Sequence, residues 1–118
     1  MNTLCRIREV SRAVAEFEQR FEREYGLTMN EGVLLCCLDR YGERSSGEIA
    51  EALQLTCSNA SKVIRSVESR GFINRKLGTD DKRQMYFSLT PQGRAELSRL
   101  HPCAVAMPEL LQRLLEEE

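Results

Sequence analysis

The stretch GTDDKRQMYFSLTPQG, residues 78–93, decides how this chain folds. It begins with two acids and two bases among small residues, and from residue 84 polar and apolar side chains alternate. A period of two predicts a strand with one buried face. Thr-Pro at 90–91 then predicts a helix start, because threonine caps free N–H groups and proline lacks one. The stretch is therefore typical of a charged loop, a strand and a helix in succession.

A second strand is predicted just before this loop, at residues 73–77. Its pattern is weaker, because Arg75 shares a face with the apolar Ile73 and Leu77. If the two strands pair, residues 78–83 form the loop of an antiparallel hairpin.

Two short helices are predicted immediately upstream. The first begins at Ser45-Ser-Gly-Glu48, which has the spacing of a capping box. The second begins at Thr56 and ends before Gly71. The inward-facing residues are Ile49, Ala50 and Leu53 on the first helix and Ala60, Val63, Ile64 and Val67 on the second. The opposite face of the second helix is polar, small and basic, and consists of Ser58, Asn59, Ser61, Lys62 and Arg65.

Further helices flank this pair. Residues 2–24 carry apolar side chains at alternating steps of three and four, and Gly26 is a typical helix end. Residues 29–40 predict a central buried helix, and helices at 91–100 and 107–117 complete the chain. The apolar positions are Ile7, Val10, Val14, Phe17 and Phe21 on the first helix, Val33, Leu34, Cys37 and Leu38 on the second, and Met107, Leu110, Leu111, Leu114 and Leu115 on the last.

This order of elements predicts a mainly α fold with a small β-hairpin (α+β), a winged helix-turn-helix, in a single domain over residues 1–118. Residues 28–94 would form the winged core. Small polar side chains let a helix approach the DNA major groove, where Asn, Ser, Lys and Arg reach base edges and phosphates. The helix from Thr56 is therefore the candidate recognition helix, and Lys82 and Arg83 are candidate contacts to the adjacent backbone or minor groove.

Charge is distributed unevenly along the chain. The formal net charge is −1. Residues 56–94 nevertheless contain eight basic and three acidic residues, a net charge of +5, which leaves −6 for the remainder. A segregated positive charge favours a polyanionic partner, here double-stranded DNA.

The sequence resembles the MarR family of bacterial transcriptional regulators. The most specific residues are Asp81-Lys-Arg83 followed by Leu89-Thr90-Pro-Gln-Gly93, which match the family's wing pattern of Asp-x-Arg and Leu-Thr-x-x-Gly. Upstream, GEIAEALQLTCSNASKVIRSVESRGFINRK resembles the family's helix-turn-helix and first wing strand. The resemblance covers about residues 32–100.

The resemblance implies a sequence-specific regulator without cofactor that binds a palindromic operator as a homodimer, with repression released by a small-molecule effector. It places Ser58, Asn59, Ser61, Lys62 and Arg65 on the recognition helix and Arg83 at the wing tip, where Asp81 would hold the wing in shape by pairing with Arg83. It also assigns dimerisation to residues 1–25 and 95–118. The chain is short for the family, which implies a reduced dimer interface.

Several residues admit two interpretations. Ser45 and Ser46 could contact phosphate, yet helix capping explains them equally well. Cys5, by its position in the family, and Cys57, at a helix N-terminus, are candidates for redox sensing. At least one of Cys36 and Cys37 is expected in the core. The odd number of five cysteines does not indicate a disulfide framework.

Other classes of protein fit less well. An enzyme is not supported, because the single histidine, His101, lies beside a proline and no nucleophile has a base. His101-Pro-Cys103 lacks the further ligands of a metal site. The longest apolar run is residues 33–38 and the N-terminus is charged, so we expect no membrane span and a cytoplasmic location. A winged helix that docks to protein remains the alternative to DNA binding.

Overall fold

The computed structural model describes residues 2–80, 83–100 and 108–116. Predictions that involve Asp81, Lys82, His101, Cys103 and Met107 lie outside these residues. The elements are α1 (Thr3–Tyr25), α2 (Met29–Tyr41), β1 (Arg44–Ser45), α3 (Ser46–Leu53), α4 (Cys57–Ser69), β2 (Ile73–Leu77), β3 (Met85–Leu89), α5 (Pro91–Leu100) and α6 (Glu109–Glu116). The chain divides into two compact units: one contains α1 and α6, and the other begins at Asn30 and contains the elements between them.

The sheet lies in the second unit and has three strands, in the order β1-β3-β2. Both pairings are antiparallel, with Ile73 opposite Leu89 in the hairpin and Ser45 opposite Tyr86 at the other edge. The predicted hairpin is therefore confirmed, and the two-residue β1 is an addition to it. Together with the helices, this arrangement confirms the predicted winged helix-turn-helix.

The core of the second unit is built from the inward faces of α2, α3, α4 and the sheet. Its most buried side chains are Leu34, Leu35, Ile49, Val67, Ile73 and Phe87. The prediction that Val33 faces the core is wrong, because this residue is 39% exposed while Leu35 is fully buried. Successive helical residues lie about 100° apart, so the helix that buries positions 34, 35, 37 and 38 turns Val33 outward.

Thr90 joins the end of α4 to the start of α5. Its hydroxyl donates to the Gly71 carbonyl at 2.6 Å and accepts from the Gly93 amide at 2.9 Å. Its own amide donates to the Phe72 carbonyl at 3.0 Å. A Cβ atom on Gly93 would lie 2.0 Å from that same carbonyl oxygen, so only glycine fits there. The Leu-Thr-x-x-Gly pattern is thus explained by one cap and one close backbone approach.

The first unit consists of α1 packed against α6. Asn2 caps α1 by accepting from the Cys5 amide at 2.9 Å, and Gly26 ends the helix in the left-handed conformation, as predicted. Phe17 and Phe21 are buried. Toward the N-terminus of the same apolar stripe, Ile7 is 59% exposed in the single chain. Within the described residues, no helix is long and apolar enough to cross a membrane.

Candidate nucleic-acid interface

Helix α4 is built so that its basic face points outward. Thr56 caps it by accepting from the Asn59 amide at 3.1 Å. Ala60, Ile64 and Val67 are buried, which fixes the rotation of the helix about its axis. The predicted recognition residues all lie on the opposite, exposed side, and they are Ser58, Asn59, Ser61, Lys62 and Arg65.

The charges on this face are available to a partner. Arg65 makes one long hydrogen bond, from Nε to the Ser61 carbonyl of its own helix at 3.4 Å. Neither Lys62 nor Arg65 forms an ion pair with a described residue. Two exposed cations one turn apart, without a described counter-charge, are well suited to hold an anion.

The two serines at the start of α3 have different surroundings. Ser45 is 6% exposed, and its hydroxyl accepts from the Glu48 amide at 3.1 Å. The Glu48 carboxylate in turn accepts from the Ser45 amide at 2.9 Å, and this bond lowers the pKa of Glu48. The geometry therefore favours the capping interpretation for Ser45. Ser46 is exposed and remains a candidate contact.

A groove separates α4 from the sheet. Its volume is about 370 Å³, and it is lined by Ser46, Ser61, Ile64, Arg65, Arg75, Met85 and Phe87. The groove places side chains of α3, α4 and the hairpin around one space. Two arginines and two serines line it beside an apolar floor, so it presents hydrogen-bond donors to whatever lies between helix and hairpin.

At least three described basic residues of the positive segment are engaged with acids. Arg75 pairs with Glu68 at 2.6 Å, Lys76 with Glu43 at 2.9 Å, and Arg94 with Asp39 at 3.3 Å. The count of +5 along residues 56–94 therefore overstates the charge that faces a partner. Two of these acids, Glu43 and Asp39, lie outside that segment, so the sequence count could not include them.

Comparison with known proteins identifies the family. The model of the MarR family matches residues 27–85, which is half of the chain. The chain belongs to the MarR family. The uncharacterized HTH-type transcriptional regulator YkoM of Bacillus subtilis is 31% identical over 91 residues, which cover 77% of this chain and 59% of YkoM. This chain thus spans little more than half the length of that relative.

Solved MarR-like structures share the fold. Bordetella bronchiseptica BpsR, whose DNA binding is regulated by 6-hydroxynicotinic acid, has a TM-score of 0.73 at 21% identity, over 93% of this chain and 76% of the BpsR chain. S. aureus MepR in complex with DNA has a TM-score of 0.64 at 23% identity, over 79% of this chain and 77% of the MepR chain. At these identities the likeness shows the fold alone.

The MarR wing pattern is only partly within the described residues. Gly78 donates its amide to the Gln84 carbonyl at 2.9 Å, which closes the base of the loop. Arg83 is exposed at the loop. Because Asp81 and Lys82 lie outside the described residues, the pairing of Asp81 with Arg83 and the DNA contact of Lys82 stay predictions.

The cysteines fall into two groups. Cys5 and Cys57 are exposed, as a redox role would require, but this role stays a prediction. Cys37 is buried, which confirms a core position for one of the adjacent pair. Cys36 is exposed, like Cys5 and Cys57. Desolvation raises the pKa of the Cys37 thiol, and also that of the Cys36 thiol beside Asp39, which disfavours the thiolate form. Among the described residues, no cluster of side chains could hold a metal ion.

Proposed function

We propose that this chain is a DNA-binding transcriptional regulator that inserts α4 into the major groove and places the wing, residues 78–83, alongside. The observation that carries the proposal is the exposed face of α4, where Lys62 and Arg65 lack an ion pair with any described residue. An exposed basic helix beside a hairpin with an exposed arginine fits the two adjacent grooves of duplex DNA.

The side chains of α4 suit base recognition. Ser58, Asn59 and Ser61 are short, so the helix backbone approaches the bases closely, and each offers a donor and an acceptor. Lys62 and Arg65 reach further, toward phosphates or guanine edges. Ser46, at the start of α3, adds a candidate phosphate contact.

The relatives support this function. MepR, which shares the fold, is seen in complex with DNA, and YkoM is named as an HTH-type transcriptional regulator. Membership of the MarR family also supports the prediction that the chain is not an enzyme. A regulator that acts on bacterial DNA works in the cytoplasm.

The first unit supports a homodimer. Apolar side chains on α1 and α6 remain exposed in the single chain, among them Leu4, Ile7, Leu114 and Leu115. Burying these residues against a second copy would remove apolar surface from water. Two copies related by a two-fold axis fit a palindromic operator with half-sites about 34 to 36 Å apart.

A small-molecule effector and a repressor role belong to the same proposal. BpsR, which shares the fold, responds to 6-hydroxynicotinic acid. No set of described residues identifies a corresponding ligand for this chain.

The test is binding of the full chain to random duplex DNA in a gel, repeated over a range of salt concentrations. Neutralisation of several phosphates predicts a steep loss of affinity as salt rises. Absence of binding at low salt would favour the alternative, a winged helix that docks to protein.

A further inference from the structure

The outer part of strand β2 is attached to the rest of the second unit mainly by polar contacts. Of its five residues only Ile73 is buried, and the other four are exposed. Leu77, next to the wing loop, is 58% exposed. Within the part of the chain that the structure describes, β2 is an edge strand and pairs with β3 alone. Side-chain packing therefore holds the hairpin at Ile73 and on β3, and contributes little along residues 74–77 of the outer strand.

Two ion pairs hold this strand, one on each of its faces. Arg75 donates from both Nε and a terminal nitrogen to the two carboxylate oxygens of Glu68, each at 2.6 Å. The next residue, Lys76, points to the other face and pairs with Glu43 at 2.9 Å. The Arg75 pair has the planar two-bond geometry that fixes orientation as well as distance.

The Arg75 pair joins the two elements that we assign to DNA. Glu68 lies in the last turn of α4, one turn beyond Ile64 and Arg65, and Arg75 lies three residues before the wing loop begins at Gly78. Arg75 is also held over the ring of Phe87, its cross-strand neighbour, at 5.6 Å. One side chain thus ties the end of α4, the edge strand and the core of the sheet together.

We propose that Glu68 is a positioning residue for DNA binding: through Arg75 it fixes the angle of the wing against α4, so that Arg83 meets DNA while α4 occupies its groove. The inference rests on the proposed function. Glu68 itself is a carboxylate, so it does not hold a phosphate. Charge alone predicts that its removal strengthens binding to DNA, whereas loss of wing orientation predicts that binding weakens.

The experiment uses a duplex that the wild-type full chain selects from a random library. We compare the affinities of wild type, Glu68→Gln, Arg75→Lys, Arg83→Ala and the two double variants with Arg83→Ala. Arg75→Lys keeps the charge and the stem over Phe87 but removes the two-bond fork. Asp39→Asn is the matched control, because it removes one acid from an exposed pair with Arg94 that joins α2 to α5 and includes no residue of α4 or the hairpin.

We expect Glu68→Gln and Arg75→Lys each to weaken binding about fivefold. In the Arg83→Ala background both changes should have almost no further effect, since the wing contact is already lost. Asp39→Asn should leave affinity unchanged or slightly higher. Circular dichroism melts verify that each variant is folded, and a purely structural role would not produce dependence on Arg83.

Three results would overturn the inference: unchanged or tighter binding by Glu68→Gln, full binding by Arg75→Lys, or losses that add to that of Arg83→Ala. The proposed function is tested separately. If Lys62→Ala weakens binding and Glu68→Gln does not, only the positioning role fails. If the wild type binds no duplex at all, the proposed function fails first.

Discussion

The carboxylate of Glu31 accepts a hydrogen bond from the Ser66 hydroxyl at 2.5 Å, although the two residues are 35 positions apart in the chain. Glu31 lies in the first turn of α2 and is 6% exposed. Ser66 lies on α4, one turn after Lys62. The bond therefore links a buried carboxylate in the first turn of α2 to the helix that carries the candidate DNA contacts.

Replacing Ser66 by alanine should destabilise the fold. The change removes a donor from a buried carboxylate, which costs about 1 to 2 kcal/mol in the free energy of unfolding. Urea unfolding measures the effect. Ser98→Ala is the control, because Ser98 is exposed, its hydroxyl bonds to the Arg94 carbonyl of its own helix, and alanine favours helix. Equal stabilities of the two variants would show that the bond to Glu31 contributes nothing.

Gly93→Ala should be among the most damaging single changes. The new methyl group would lie 2.0 Å from the Phe72 carbonyl oxygen, so backbone must move and the Thr90 cap is strained. We expect a loss of about 3 kcal/mol or more. Gly47→Ala, whose Cβ meets only the Ser45 hydroxyl at 4.0 Å, should be neutral or stabilising. Thermal melts of both variants measure the effect. A melting temperature of Gly93→Ala equal to that of wild type would contradict the close approach of residue 93 to the Phe72 carbonyl.

Stability should fall as the pH drops into the acid range. Hydrogen bonds from Ser45 lower the pKa of Glu48, and hydrogen bonds from Arg75 lower the pKa of Glu68, both from an ordinary value of 4.5. A lowered carboxyl pKa contributes stability that is present above the ordinary value and lost as pH falls through the folded value.

The double variant Glu48→Gln/Glu68→Gln should therefore lose less stability than wild type between about pH 7 and about pH 3. Urea unfolding over this range provides the comparison. The exposed change Glu51→Gln on α3 is the control and should follow the wild-type curve. If the double variant also runs parallel to wild type, the two carboxyls do not link folding to pH.

Ile7→Glu should weaken the proposed homodimer. The residue is 59% exposed on α1, so a charge there costs the monomer little but would be buried between two copies. We expect the dimer dissociation constant to rise at least about tenfold by analytical ultracentrifugation. Val33→Glu, on the exposed side of α2, is the control. Identical dissociation constants for all three chains would exclude Ile7 from the interface.

The sequence predicts most element boundaries well because caps mark them. Three helices begin at a hydroxyl that accepts a hydrogen bond from the backbone amide three residues ahead, at Ser45, Thr56 and Thr90. Two helices are followed by a glycine in the left-handed conformation, Gly26 and Gly71. These effects are local, so they are visible in the order of residues.

The remaining features depend on distance in space. Strand β1 has two residues, too few for alternation to show, and exists because β3 offers it a free edge. Arg75 interrupts the apolar face of β2, and this irregularity is visible in the sequence. Its pairing with Glu68 could not be predicted, because that depends on the angle between α4 and the hairpin. The same holds for Lys76 and Arg94, whose charges are offset by acids from α2 and the turn after it.

The most direct test of the central claim measures affinity for the selected duplex against salt concentration. The proteins are wild type, Lys62→Ala, Arg65→Ala and the charge-matched control Arg12→Ala, at an exposed position of α1. We predict that each α4 variant binds about 1 to 3 kcal/mol more weakly if it reads a base, or loses about one unit of salt slope if it holds a phosphate. Arg12→Ala should bind like wild type. Losses in the α4 variants no larger than that of Arg12→Ala would contradict the assignment of α4 to DNA.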